Sequence, residues 1–183
     1  FIPSAGAFNE MALSNVALFG NQQSDPQGAL IYGQKMILNF VSIAGNTLTG
    51  SAVIRGFDLQ TVLGYVAAFQ PGKPLLQQTG GSVLSGYLIA NDLSGIPPTV
   101  NNLEADPLFV SASDLHLRPG SLAIDYATSS AALAPPYNTD ILGNPRPVDD
   151  SLVPNAFGPI DVGAYESEAD ALFANGFEPC FSC

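Results

Sequence analysis

Few side chains in this sequence could perform chemistry, and most of them are carboxylates set beside turns. Asp106, Asp125, Asp140, Asp161 and Glu166 recur among Gly and Pro residues in the second half. Two such groups facing each other across a sugar-binding cleft would hydrolyse a glycoside. Several together would offer hard oxygen ligands to calcium, but the Asp-x-Asp-x-Asp-Gly spacing of a calcium loop is absent. Aspartates at turns ordinarily accept backbone N–H groups. Turn capping is therefore the expected role, with calcium as the alternative. Arg146 is expected to reach back to Asp125 or Asp161 through a charge-assisted bond.

The remaining candidates are weaker. His116 is the single histidine and sits in an alternating Leu-His-Leu pattern, which points to a solvent-facing or hydrogen-bonded strand residue. Triad chemistry would need this same histidine, and no Gly-x-Ser-x-Gly elbow accompanies it. Cys180 and Cys183 form a CxxC at the end of the chain with no second pair to complete a zinc site. In an oxidising compartment they would form a small-loop or an intermolecular disulfide. No catalytic residue, metal ligand or cofactor is assigned.

The elements that must position these groups follow from composition and repetition. The chain has 183 residues, 46% apolar and only 11% charged, with 18 Gly and 15 Pro. That favours many short strands joined by tight turns over helices, hence an all-β fold. The net charge of −11 disfavours nucleic acid and anionic lipid as partners. No stretch has the length and apolarity of a transmembrane segment. Four segments in the first half align, from Ser14, Leu38, Leu63 and Ser85. Taking Val16, Phe40, Tyr65 and Tyr87 as equivalent gives spacings of 24, 25 and 22. Each segment is a short apolar run ending in Asn, Gly, Gln or Asp, and Ala29–Tyr32, Ala52–Ile54 and Leu75–Gln78 are further strand candidates.

A repeat of this length fits one coil of a right-handed, single-stranded parallel β-helix, in which each coil buries its apolar face on the next. An antiparallel sandwich is the rival arrangement. Tyr65 and Tyr87 would then form a stacking ladder, in packing or as a sugar platform. The expected organisation is 1–95 as the last coils, 96–166 as a loop-rich block that plugs the coil end, and 167–183 as a tail with a short helix. That helix would be capped by Ser167 and stopped by Gly176. Since β-helices cover their strand edges, further coils are expected upstream.

From Asp106 to Glu166 the order DPLF, LHLRPGSLAID, DILGNPRP, DVGAYE resembles the choice-of-anchor Q domain. That domain ends many secreted bacterial parallel β-helix proteins of the pectin-lyase-like superfamily. Leu122 stands where the family more often has Pro. The tail around LFANGFE resembles short C-terminal signals of secreted proteins in some Gram-negative bacteria, with Asn175 in place of Asp. The resemblance implies a secreted or surface protein whose tail carries a sorting or anchoring signal. It implies no activity. Lyases of the superfamily use Lys or Arg as base, but Lys35, Arg55 and Lys73 do not recur at the coil period. The resulting expectation is a non-catalytic β-helix that contacts extracellular polysaccharide or mediates adhesion. The alternative is the C-terminal part of a polysaccharide lyase or glycoside hydrolase with its active site upstream. The sequence does not specify an oligomeric state.

Overall fold

A computed structural model describes residues 10–129 and 132–167. Its strands are β1 (Glu10–Leu18), β2 (Gln22–Gln23), β3 (Ile31–Gly33), β4 (Lys35–Ala44) and β5 (Thr47–Leu48). They continue as β6 (Ile54–Phe57), β7 (Gln60–Phe69), β8 (Leu76–Thr79), β9 (Ser82–Ala90) and β10 (Asn102–Glu104). They form three parallel ladders: β1-β4-β7-β9-β10, β2-β5 and β3-β6-β8. Strands that neighbour in space but are separated by a coil in sequence define a right-handed parallel β-solenoid of about three turns. The antiparallel sandwich is excluded.

Each long strand contains one residue in the left-handed region: Asn15 (φ 53°), Phe40 (φ 56°), Tyr65 (φ 56°) and Tyr87 (φ 56°). Such a residue breaks the in–out alternation of a strand. Before it, Met36 and Leu38 face the interior; after it, Val41 and Ile43 do. Phe40 and Ala44 face the opposite side, into a second apolar cluster. This explains why Phe40-Val-Ser-Ile-Ala reads as a continuous run: both of its faces are buried.

The ladder also corrects the repeat. Ser14 pairs with Asn39 and Val16 with Val41, so the equivalent of Phe40 in the first coil is Asn15, not Val16. Asn tolerates left-handed φ, so conformation is kept where side-chain apolarity is not. At the far end of each long strand an amide ladder stitches the coils. Asn46 Oδ1 accepts from the Asn21 backbone N–H (3.0 Å), the Asn46 N–H donates to Gln70 Oε1 (3.1 Å), and the Gln70 N–H donates to Asn91 Oδ1 (2.6 Å).

Two features of the chain beyond residue 96 bear on how it meets the coils. β10 extends the ladder beyond residue 96 by pairing with β9. From Ala105 onward the chain forms turns and isolated bridges. This segment packs along the flank of the long-strand sheet. Phe109, Leu115, Tyr126, Ile160 and Val162 pack with Phe40, Ala67 and Ile89 in the second cluster. The physical reason is the left-handed residue, which turns a second apolar row outward and leaves it to be covered. The expected terminal helix and the Cys180–Cys183 pair lie outside the described residues, as does the tail signal.

At the first coil, Met11, Leu13, Leu18 and Leu30 are only half-buried, whereas Met36 and Leu38 are fully buried. A cavity of about 540 Å³ opens there, lined by these residues with Ile31 and Tyr32. Among the described residues no helix is long and apolar enough to cross a membrane.

Candidate functional site

The flank block meets every coil at its left-handed residue. Asn15 Nδ2 donates to the carbonyls of Pro136 (2.7 Å) and Thr139 (3.0 Å). Phe40 stacks on Tyr65 at 4.3 Å between ring centroids, and Tyr65 on Tyr87 at 5.3 Å. Tyr65 Oη donates to the Thr128 carbonyl (3.0 Å), and the Phe157 ring meets Tyr87 edge-on. The tyrosine ladder therefore exists, but it lies between sheet and block as packing. It is not laid open as a sugar platform.

Five of the six singled-out charged residues are buried within this block: Asp125, Asp140, Arg146, Asp161 and Glu166. Asp106 stands apart, exposed, its Oδ1 accepting the Leu108 N–H (2.8 Å). Arg146 lies over the Phe40 ring with Cζ 3.9 Å from the centroid. Its Nη1 and Nη2 donate to the carbonyls of Gly163 (3.3 Å) and Ala164 (3.2 Å). Its ion-pair partner is Glu166, with Nε 3.0 Å from Oε2 and both side chains fully buried. This differs from the expected reach to Asp125 or Asp161. Those two carboxylates serve backbone donors instead: Asp161 accepts from Asp125 N–H (2.8 Å) and Ser167 N–H (2.6 Å), and Asp125 from Asp150 N–H (3.1 Å). Charge and proximity hold the Arg146–Glu166 pair, since neither atom of the contact makes a well-aligned hydrogen bond.

Asp140 ties the remaining loops. Its Oδ1 accepts from Leu142 (2.8 Å) and Asn144 (2.9 Å) N–H groups, and its Oδ2 from Glu166 N–H (3.2 Å). Glu166 Oε1 in turn accepts from Val148 N–H (2.9 Å). The clasp is anchored to the solenoid where Gly163 lies against it. A Cβ at Gly163 would come within 2.6 Å of Ser42 Oγ. That close approach lets the Ala164 N–H reach Ser42 Oγ (2.9 Å) and the Gly163 N–H reach the Tyr65 carbonyl (3.1 Å).

Burial sets the electrostatics. Desolvation, with Asp161 adding repulsion, pushes the Asp125 carboxyl up to about 6. Burial likewise raises Asp161 and Glu166 and lowers Arg146. A glycosidase pair must face a cleft that admits sugar and water, whereas Asp125 and Asp161 have no exposed surface at all. Among the described residues no group of three or more His, Cys, Asp or Glu is placed to hold a metal ion. His116 is exposed, its Nδ1 2.6 Å from Asp114 Oδ1, and its ring lies over Tyr165. Of the scattered cations, Lys35 pairs with Glu10 (2.7 Å), and Lys73 Nζ donates to the Gly50 carbonyl (2.6 Å).

Sequence reasoning missed two groups. Asn15 and Ser42 receive the block, and only a register aligned on conformation rather than apolarity would have found Asn15. Tyr32, Arg55 and Phe57 gather on the outer face of β3-β6-β8. The signal was there, in the alternation of Ile-Tyr-Gly and Ile-Arg-Gly-Phe. The chain matches no family model, no curated protein and no solved structure.

Proposed function

We propose that this chain is a non-catalytic, secreted or surface-displayed bacterial β-helix protein that contacts extracellular glycans or mediates adhesion. The fold is compatible with the pectin-lyase-like superfamily. In this reading residues 96–166 are a choice-of-anchor Q module, supported by the four ordered motifs between Asp106 and Glu166. The tail serves export or anchoring, and its likeness to Gram-negative secretion signals supports that source.

One observation carries the non-catalytic reading. Asp125, Asp140, Arg146, Asp161 and Glu166 are turned inward and engaged with loop backbone or with each other. What faces solvent on the solenoid is a set of rigid, in-register side-chain rows. On the long-strand sheet, for example, Ala12, Ile37, Val62 and Leu84 run in register across β1, β4, β7 and β9. Such a surface suits repetitive contact rather than turnover. The alternative, a lyase or hydrolase with upstream catalytic coils, makes the opposite prediction for the same assay. The protein is incubated with a polysaccharide panel, and both co-sedimentation and release of new chain ends are measured. Binding without new ends is expected. Chain-end release that a single side-chain substitution abolishes would overturn the reading.

A further inference from the structure

We propose that the outward face of β3-β6-β8 is a binding platform for a neutral hexose oligosaccharide, an inference that rests on the glycan-contact reading above. Ile31, Ile54 and Leu76 point inward and are buried. Alternation therefore sends Tyr32, Arg55 and Gln77 outward, and the register aligns them in one row. Phe57 and Thr79 form the next row. The Tyr32 ring, 56% exposed, stacks on Phe57 at 4.9 Å between centroids with 28° between planes. The Arg55 guanidinium carbon lies 5.8 Å from the Tyr32 centroid, and its Nη1 donates to the Gln27 carbonyl.

Packing does not demand aromatic residues on this face. The third coil carries Gln77 and Thr79 at the same rows, both exposed. Tyr32 and Phe57 instead lay out aromatic surface bordered by hydrogen-bonding groups. Gln34 sits beside them, donating to Asp58 Oδ2 (3.3 Å), and Ser51 Oγ donates to Gln77 Oε1 (2.6 Å). The C–H face of a pyranose is apolar and weakly electropositive, so it complements the negative face of an aromatic ring. Its hydroxyls both donate and accept, matching amides, hydroxyls and a guanidinium.

Charge selects among saccharides. Arg55 is the cation within the aligned rows and Lys73 lies beside Ser51, bonded to the Gly50 carbonyl, while Asp58 and Asp25, which caps the turn bearing Gln27, stand at the border and offset them. With a net charge of −11 on the chain, a polyanionic glycan is repelled and a neutral one is not. A protein partner would need about 800 Å² per side, a larger area than this short patch of side chains offers.

The test is equilibrium binding of the full chain to fluorescent neutral hexose oligosaccharides, read by anisotropy, with oligogalacturonate as the charged comparison. Tyr32→Ala should weaken binding about tenfold or more and Arg55→Gln a few-fold, with unchanged far-ultraviolet circular dichroism. Leu152→Ser, at an exposed position of the flank block, should bind as the parent does. Equal binding by the parent and Tyr32→Ala would overturn the platform while leaving glycan contact standing. Tighter binding of oligogalacturonate would overturn the neutral assignment. Binding of no saccharide by the parent would overturn the glycan-contact reading itself.

Discussion

Replacing Arg146 by Ala should undo the grip of the flank block on the solenoid. The change removes the counter-charge of a fully buried Glu166, two donors to the carbonyls of Gly163 and Ala164, and a guanidinium over Phe40. At a pH that ionises Glu166, breaking one side of this buried ion pair costs about 3–5 kcal/mol, chiefly because a charge is left uncompensated or must take up a proton. For a chain of this size each kcal/mol moves Tm by roughly 2–4 °C, so the midpoint should fall by roughly 6–20 °C. The companion is Arg146→Met with Glu166→Gln. It removes both charges and keeps an acceptor for the Val148 N–H, so it should regain at least half of that loss. Burial already holds Glu166 above its ordinary range. Its stabilising contribution is therefore present at low pH and lost as pH rises, and without Arg146 the loss deepens. Arg146→Ala should accordingly cost more at pH 8 than at pH 5. Urea unfolding followed by tyrosine fluorescence, with limited proteolysis of the block, measures both. A cost under about 1 kcal/mol at pH 8, or a double variant no better than Arg146→Met alone, would refute the reasoning.

Three further outcomes are expected. The folded Asp125 value of about 6 lies above its ordinary 3.8, so its contribution is complete below 3.8 and lost as pH rises through 6. Stability should fall over that window, and Asp125→Asn should flatten the step in a Tm-against-pH series. At the left-handed Tyr65, Gly should be a better replacement than Ala by about 1 kcal/mol, the reverse of ordinary strand behaviour; chemical denaturation of the two variants decides it. Gly45→Ala should destabilise markedly, since φ is +64° and a Cβ would sit 2.1 Å from the Ala112 carbonyl oxygen. Thermal melting of that variant should show an early transition as the 105–118 segment lifts off the second coil.

The coil period was legible because Phe40, Tyr65 and Tyr87 recur as aromatic residues at one structural position. It failed by one residue in the first coil because Asn15 meets the same backbone demand with a different side chain. The flank placement was not legible. A strand buried on both faces reads as an apolar run, and nothing in that run says that the second face is covered by residues a hundred positions away. The buried clasp was half-legible. Asp, Arg and Glu beside turns marked the right residues, but the pairing of Arg146 with Glu166 depends on which carboxylates the backbone has already claimed.

Coil stacking is tested most directly by cysteine cross-linking in a Cys180→Ser, Cys183→Ser background. Ile37 and Val62 are in-register neighbours, whereas Leu84 follows Val62 one coil further on. Adjacent strands lie about 4.8 Å apart, within disulfide reach, and next-but-one strands about twice that, beyond it. Ile37→Cys with Val62→Cys should oxidise to an intramolecular bridge, and Ile37→Cys with Leu84→Cys should not. The opposite pattern would contradict the stacked-coil arrangement.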